Sequence, residues 1–189
     1  MSADDGREYV LATARELYGR VVYSQKTHEK EREMWGKKTL GMNWVTIGMV
    51  SATTLFAIIS AVLQPLPVLM ITAFLASATT GFVLWQSNFD PAGRENQHRT
   101  AAKELLWIRE QLLLLIERCH STTEQVGHLQ ASLESLTREL TALYKFAPNT
   151  SPEAYFLASA ALKNGEFTFS DAEIDAFLPG ELRKKTVTG

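Results

Sequence analysis

The longest stretch of this chain without a charged side chain constrains its fold more than any other feature. Residues 39–89 contain no Asp, Glu, Lys, Arg or His, and two prolines interrupt them at Gln64-Pro65-Leu66-Pro67. The apolar segments 42–62 and 67–86 each have about the 20 residues that a helix needs to cross a hydrocarbon core of about 30 Å. The sequence therefore predicts a transmembrane hairpin over 41–88. The alternative is a hairpin buried in a soluble bundle, which would normally carry a charged face.

Basic residues flank the hairpin on both sides, whereas its turn is uncharged. Those before it are Lys26, Lys30, Arg32, Lys37 and Lys38, and those after it are Arg94, Arg99 and Lys103. Because positively charged flanks stay on the cytoplasmic side, we expect a two-span protein of the cell inner membrane with both termini in the cytoplasm. Trp44 and Trp85 lie at the same ends of the two spans, where an indole prefers the headgroup layer, and are the predicted interface anchors.

The sequence on either side of the hairpin has helical periodicity, and no strand pattern competes with it. Residues 1–40 are predicted to form an N-terminal cytoplasmic helix, and 94–146 a long amphipathic helix or a helical hairpin. A bend near residues 119–127 would produce the hairpin, and the sequence leaves this open. Short helices follow over 151–180 and a tail over 181–189. The predicted fold class is all-α, with the membrane hairpin attached to a helical, coiled-coil domain.

Two helical seams support this domain, because their residues recur every three or four positions. The N-terminal seam comprises Val10, Ala14, Leu17, Val21, Ser24 and His28. The later seam comprises Leu105, Ile108, Leu112, Leu115, Cys119, Thr122, Val126, Leu129, Leu133, Leu136, Leu140 and Leu143. Since the long seam leaves apolar surface to bury, we expect a homo-oligomer.

Composition and motifs argue against an enzyme and against a nucleic-acid partner. The net charge is −2, and the single cysteine, Cys119, lies within an apolar seam as a small buried hydrophobe would. There is no glycine-rich phosphate loop and no Cys or His pair at metal-binding spacing, so we expect no metal and no cofactor. Ser24, Lys26 and His28 alternate along a helix and therefore do not face one another as a catalytic cluster.

Small and hydroxylated residues form one stripe on each predicted span. The stripe on the first span comprises Thr46, Thr53, Ala57 and Ser60, with Gln64 at its end, and that on the second comprises Ala73, Ser77 and Gly81. Such stripes either line a water-filled path or pack against each other within the hairpin, and both interpretations stay open. No ionisable residue lies at membrane depth, so any path would be weakly selective.

One patch on the N-terminal helix could bind an anionic ligand such as a nucleotide. Tyr23 and Thr27 are one helical turn apart, Arg20 precedes Tyr23 by three residues, and Lys26 adds a second positive charge. The alternative is interfacial packing, in which the basic side chains reach past apolar surface to water.

Taken together, these segments resemble the SLATT family of two-transmembrane effectors. The resemblance rests on residues 17–30 (LYGRVVYSQKTHEK), the close hairpin, the long helix and residues 167–179 (FTFSDAEIDAFLP). It implies a pore-forming or membrane-disrupting effector of a bacterial antiphage system, associated with SMODS-type nucleotide synthases and SLOG sensors. It also implies activation by a nucleotide second messenger or by a separate sensor or synthase protein. The alternative is a non-conducting, membrane-anchored coiled-coil scaffold that recruits a cytoplasmic partner.

Overall fold

The computed structural model describes residues 3–63, 65–121 and 123–167, which fold into helices without any strand. The helices are α1 (Ala3–Leu63), α2 (Leu66–Phe89), α3 (Pro91–His120), α4 (Val126–Phe146) and α5 (Pro152–Lys163). The predicted all-α fold class is confirmed. The part of the predicted short C-terminal helices beyond residue 167 and the tail over 181–189 lie outside the described residues, as do Gln64 and Thr122.

Helix α1 is a single element that joins the predicted N-terminal helix to the first membrane span. It runs for 61 residues without a proline, which corresponds to roughly 90 Å at 1.5 Å per residue. Pro65 then stands as the extended N-cap of α2, with φ −75° and ψ 129°. Because a proline disfavours helical geometry in the residue before it, the Pro65 position separates the two spans.

The junction between α2 and α3 is a single residue, Asp90, in the left-handed region with φ 44° and ψ 58°. Its carboxylate accepts a hydrogen bond from the Gly93 N–H at 3.0 Å and so caps α3, while Pro91 occupies the first helical turn. A β-carbon at Gly93 would collide with that carboxylate. A larger residue at position 93 would therefore displace the carboxylate from its capping position.

Helices α3, α4 and α5 pack with the N-terminal part of α1 in a helical bundle. Its core is made of the two predicted seams, with these buried members: Val10, Ala14, Val21, Leu105, Ile108, Leu112, Leu115, Cys119, Leu129, Leu133, Leu136 and Leu140. Helix α3 ends at His120, and α4 begins at Val126 and packs back against α3. Residues 94–146 thus form the helical hairpin rather than one straight helix.

Two arginines hold the turn between α3 and α4. Arg7 of α1 donates to the backbone carbonyls of Ser121 and Glu124 and, at 3.4 Å, to that of Cys119. Arg118 binds both oxygens of the Glu124 carboxylate, each 3.0 Å from its Nε, and this hydrogen bonding lowers the pKa of Glu124. Arg7 thereby satisfies carbonyls that the end of α3 leaves without helical partners.

The apolar end of α1 and helix α2 extend beyond the bundle as an uncovered hairpin. The most apolar stretch of 18 residues has a mean hydropathy of 2.0 in α1 and of 1.8 in the segment that begins with α2. Only 6% of the first stretch and 0% of the second is buried within the protein. A core hairpin of a soluble bundle would be covered by protein. The exposed apolar surface, in two helices of sufficient length, instead fits a membrane protein with two spans.

Candidate functional site

A line of polar side chains lies between the two spans. At its centre the hydroxyl oxygens of Thr53 and Thr79 are 3.2 Å apart. Each hydroxyl also lies 2.8 Å from a carbonyl of its own helix, at Met49 for Thr53 and at Leu75 for Thr79. These bonds let a hydroxyl stay at membrane depth without an unsatisfied donor.

The same line continues to the end of the hairpin nearest the bundle. There the Gln86 side chain accepts from the Thr46 hydroxyl at 2.8 Å and donates to the Asn43 side chain at 3.0 Å. Toward the turn, Ser60 is buried in the first span, seven residues beyond Thr53. Thr46, Thr53 and Ser60 therefore share the face of α1 that packs on α2.

The remaining small residues of the predicted stripes are on the outside of the hairpin. Ala57 is exposed on α1, and Ala73, Ser77 and Gly81 are exposed on α2. A β-carbon at Gly81 would meet nothing within 4 Å. The structure thus separates an inner polar line from an outer small-residue ridge, defined here as Ala73, Ser77 and Gly81.

Sequence reasoning did not identify Thr79 and Gln86, the partners of the first span on α2. A signal for them exists, because Thr72, Thr79 and Gln86 recur every seven residues, as do Thr46, Thr53 and Ser60. Matched seven-residue spacings of polar residues on two adjacent spans would have predicted the inner line.

Aromatic side chains cluster at the end of the hairpin next to the bundle. Trp44 and Trp85 are 65% and 53% exposed. Trp85 stacks on Phe89 with ring centroids 5.5 Å apart, and Trp35 contacts the same Phe89 ring at 5.6 Å. These rings mark the level at which the uncovered apolar surface ends.

The four residues of the predicted anionic-ligand patch have different surroundings. Arg20 pairs with Glu16 on the exposed surface of α1, and the Tyr23 ring lies 6.2 Å from that of Tyr155. The Thr27 hydroxyl donates to the Tyr23 carbonyl at 2.8 Å. The structure does not bring these side chains together around one open cavity.

Lys26, the fourth residue of that patch, is buried and already neutralised by carboxylates. Its Nζ lies 2.9 Å from Glu29 and 2.7 Å from Glu166, and 4.6 Å from the centre of the Phe167 ring. Burial works against the charge, but hydrogen bonds to Glu166 and Glu29 outweigh it and raise the Lys26 pKa. Lys26 therefore links α1 to the segment after α5.

A buried histidine pair joins α1 to α3. The Nδ1 atoms of His28 and His98 are 3.0 Å apart, and both side chains are buried. Burial and the neighbouring His98 lower the pKa of His28 to about 4, although the Glu31 carboxylate opposes this shift. Burial also lowers the pKa of His98. Both rings are therefore neutral near neutral pH, and one Nδ1–H donates to the other ring.

Reactive or metal-binding groups are not assembled in the part of the chain that the structure describes. There, no three His, Cys, Asp or Glu side chains lie together as a metal site would require. Burial raises the pKa of Cys119, so its thiol stays protonated within the bundle core. The arrangement is suited to membrane insertion and helix packing.

Comparison with models of known protein families gives a match over most of the chain. The family model described as SMODS and SLOG-associating 2TM effector domain family 4 matches residues 11–173. No curated protein and no solved structure matches the chain. The matched region includes both spans and helices α2 to α5.

Proposed function

The chain belongs to the SLATT family of SMODS and SLOG-associating two-transmembrane effector domains, and we propose that it is a pore-forming or membrane-disrupting effector that acts as a homo-oligomer. In this proposal it works in the inner membrane of a bacterium, with both termini in the cytoplasm. Its activity would arrest or kill a cell infected by phage.

The observation that carries the proposal is the continuity of α1. One helix, Ala3–Leu63, contributes both to the bundle core and to the first span. A rotation or shift of α1 within the bundle would therefore be transmitted directly to the membrane segment, because no flexible joint absorbs it. An effector that converts a cytoplasmic signal into a change in the membrane needs such a connection.

The inner polar line supplies a candidate water path. In the closed hairpin, the Thr53 hydroxyl is paired with Thr79, and Thr46 with Gln86. We infer that activation separates the spans enough to expose these hydroxyls to water. Since they carry no formal charge, the conduit would be weakly selective.

Oligomerisation is required because two helices cannot enclose a water path. The outer ridge of Ala73, Ser77 and Gly81 supports it, since small side chains allow a neighbouring helix to approach closely. The family name associates these effectors with SMODS and SLOG proteins. We infer that the activating signal comes from such a separate synthase or sensor, directly or through a nucleotide second messenger.

A pair of size-matched variants tests the pore. Thr53→Val with Ser60→Ala removes two hydroxyls from the inner line without adding bulk. Thr54→Val with Ser51→Ala removes two from exposed positions of the same span. Induced expression of the wild type should depolarise cells and admit a small dye. The double variant at Thr53 and Ser60 should suppress both effects, because a path lined by apolar side chains loses its water more readily. The double variant at Thr54 and Ser51 should retain both effects.

A non-conducting scaffold is the second candidate, and one surface favours it. A groove of about 980 Å³ lies between α3 and α4, lined in part by Trp107, Leu143 and the 81% exposed Phe146. A partner protein could dock there. Wild-type expression that leaves membrane potential unchanged, even with the associated synthase or sensor present, would favour the scaffold over the pore.

A further inference from the structure

We propose that Lys38 and Arg94 form a binding site for the phosphate headgroup of an anionic phospholipid, on a platform made by Trp35 and Phe89. The site lies in a cleft of about 950 Å³ between α1, the start of α3 and the segment before α5. It would tie the bundle to one class of lipid at the point where the helices enter the membrane.

Two cations share one aromatic ring at this site. The Lys38 Nζ lies 4.2 Å from the centroid of the Trp35 ring, and the Arg94 guanidinium carbon 4.9 Å from the same centroid. Arg94 is also 5.4 Å from the Phe89 centroid. The ring faces attract both cations and orient them, although like charges repel. An anion bound by both would relieve that repulsion.

Lys38 and Arg94 are not neutralised by direct ion pairs, although three carboxylates also line the cleft. Among the ion pairs of the described residues, none involves Lys38 or Arg94. The cleft also contains three carboxylates, Glu31, Asp90 and Glu153. Glu31 accepts from the Ser151 backbone N–H and Asp90 from that of Gly93. Two of the three are thus engaged in holding helix ends.

Two residues of the site, Lys38 and Phe89, lie at the depth of the headgroup layer. Lys38 precedes Met42, where the first apolar segment begins, by one helical turn, or about 6 Å. Phe89 follows the second apolar segment, which ends at residue 86, by about 5 Å. The polar layer on each side of a bilayer is about 5–8 Å thick. Lys38 and Phe89 therefore lie at the level of lipid phosphates.

A row of aromatic rings favours a lipid over a soluble phosphate compound. Phe89 stacks on Trp85 at 5.5 Å, and Trp85 contacts Phe82 at 5.6 Å, which is within the second span. The row leads from the cations into the apolar region, and Trp85 is half exposed. Acyl chains can lie along this surface while the phosphate stays at Lys38 and Arg94.

Binding of labelled lipid to the purified full-length protein tests the site. The protein, in micelles of neutral detergent, is titrated with fluorescent phosphatidylglycerol, with fluorescent phosphatidylcholine, which is zwitterionic and has no net charge, as the comparison. Lys38→Gln with Arg94→Gln should weaken phosphatidylglycerol binding about tenfold or more. The control, Lys37→Gln with Lys103→Gln, removes the same charge from two exposed lysines that lie outside the cleft and form no ion pair with a described residue, and it should change binding less than about twofold. Trp35→Leu should weaken it without changing the charge.

Three results would overturn the proposal. An equal loss of phosphatidylglycerol binding in the two double variants would show that the lipid is attracted by the general positive charge of this region and not by a specific site. Equal binding of the two lipids would show that charge is not recognised. Competition by glycerol phosphate as effective as that by the lipid itself would show a site for soluble phosphates. If the double variant fails to fold by circular dichroism, Lys38→Gln alone, at an exposed side chain, must still weaken binding about threefold.

Discussion

His28 and His98 face each other across the interface of α1 and α3 with their Nδ1 atoms 3.0 Å apart. The first residue belongs to the helix that becomes the first span, and the second to the helix that follows the second span. The pair therefore joins the two helices, α1 and α3, through which the bundle is connected to the membrane hairpin. Its hydrogen bond needs at least one neutral ring, which makes this connection sensitive to acid.

We expect the bundle to lose stability as the pH falls. The pKa of His28 is about 4 in the folded protein against an ordinary 6.5, so the unfolded chain binds the proton more tightly. The stabilisation is complete above about pH 6.5 and declines toward about pH 4, with a loss of roughly 2 kcal/mol by about pH 5.

Thermal unfolding at several pH values, followed by circular dichroism in detergent, checks this expectation. His28→Gln should flatten the pH dependence, whereas His120→Gln, at an exposed position, should not. A His28→Gln protein with the same pH dependence as the wild type would contradict the role of the pair.

Arg7→Ala should destabilise the bundle by about 1–3 kcal/mol, because carbonyls at the end of α3 lose a charged donor. Arg15→Ala, at an exposed position on the same helix, is the control and should have little effect. Amide hydrogen exchange of residues around the α3–α4 turn should accelerate only in the Arg7 variant. Unchanged exchange there would show that other contacts hold the turn.

Lysine in the core of α4 should disrupt the bundle. Leu133 and Leu136 are 7% and 9% exposed, so Leu133→Lys with Leu136→Lys buries two unpaired charges at a cost of several kcal/mol. Ala131→Lys with Ser135→Lys adds the same charge at exposed positions of α4 and should be tolerated. Equal melting temperatures for the two double variants would mean that this face of α4 is not buried in solution.

A crosslink between the spans should prevent opening of the hairpin. Thr53→Cys and Thr79→Cys replace hydroxyls that are 3.2 Å apart and can be joined by oxidation or by a short thiol-reactive linker. If the spans separate on activation, leakage from liposomes should stop on crosslinking and return on cleavage of the crosslink. Each single substitution, which leaves the introduced cysteine with only the buried Cys119, serves as a control, and full leakage from a crosslinked protein would exclude opening between these residues.

Reporter fusions test the proposed orientation. A reporter at either terminus should be active in the cytoplasm, and one inserted at residues 64–67 should be active outside, because the flanks are basic and the turn is uncharged. Lys37→Glu with Lys38→Glu should reduce this asymmetry. Termini in opposite compartments would be incompatible with a two-span hairpin.

The membrane hairpin and the buried faces of the bundle were predictable from the sequence for a local reason. A span needs about 20 consecutive apolar residues, and a packed helix needs apolar residues every three or four positions. Residues 42–62 and Leu129, Leu133, Leu136 and Leu140 meet these requirements whatever the rest of the chain does. The start of a helix was also predictable where a capping side chain is followed by a proline, as at Ser151 and Pro152.

Only the tertiary structure decided the contacts between residues that are distant in sequence. The bend after His120 contains no proline, and it is held by Arg7 from the other end of the chain. Lys26, which the sequence suggested for an anionic ligand, is instead bound by Glu166. His98 pairs with His28, and Thr79 with Thr53, only because the helices that carry them pack together. Periodicity determines which face of a helix is buried, but the partner opposite that face depends on how the helices pack.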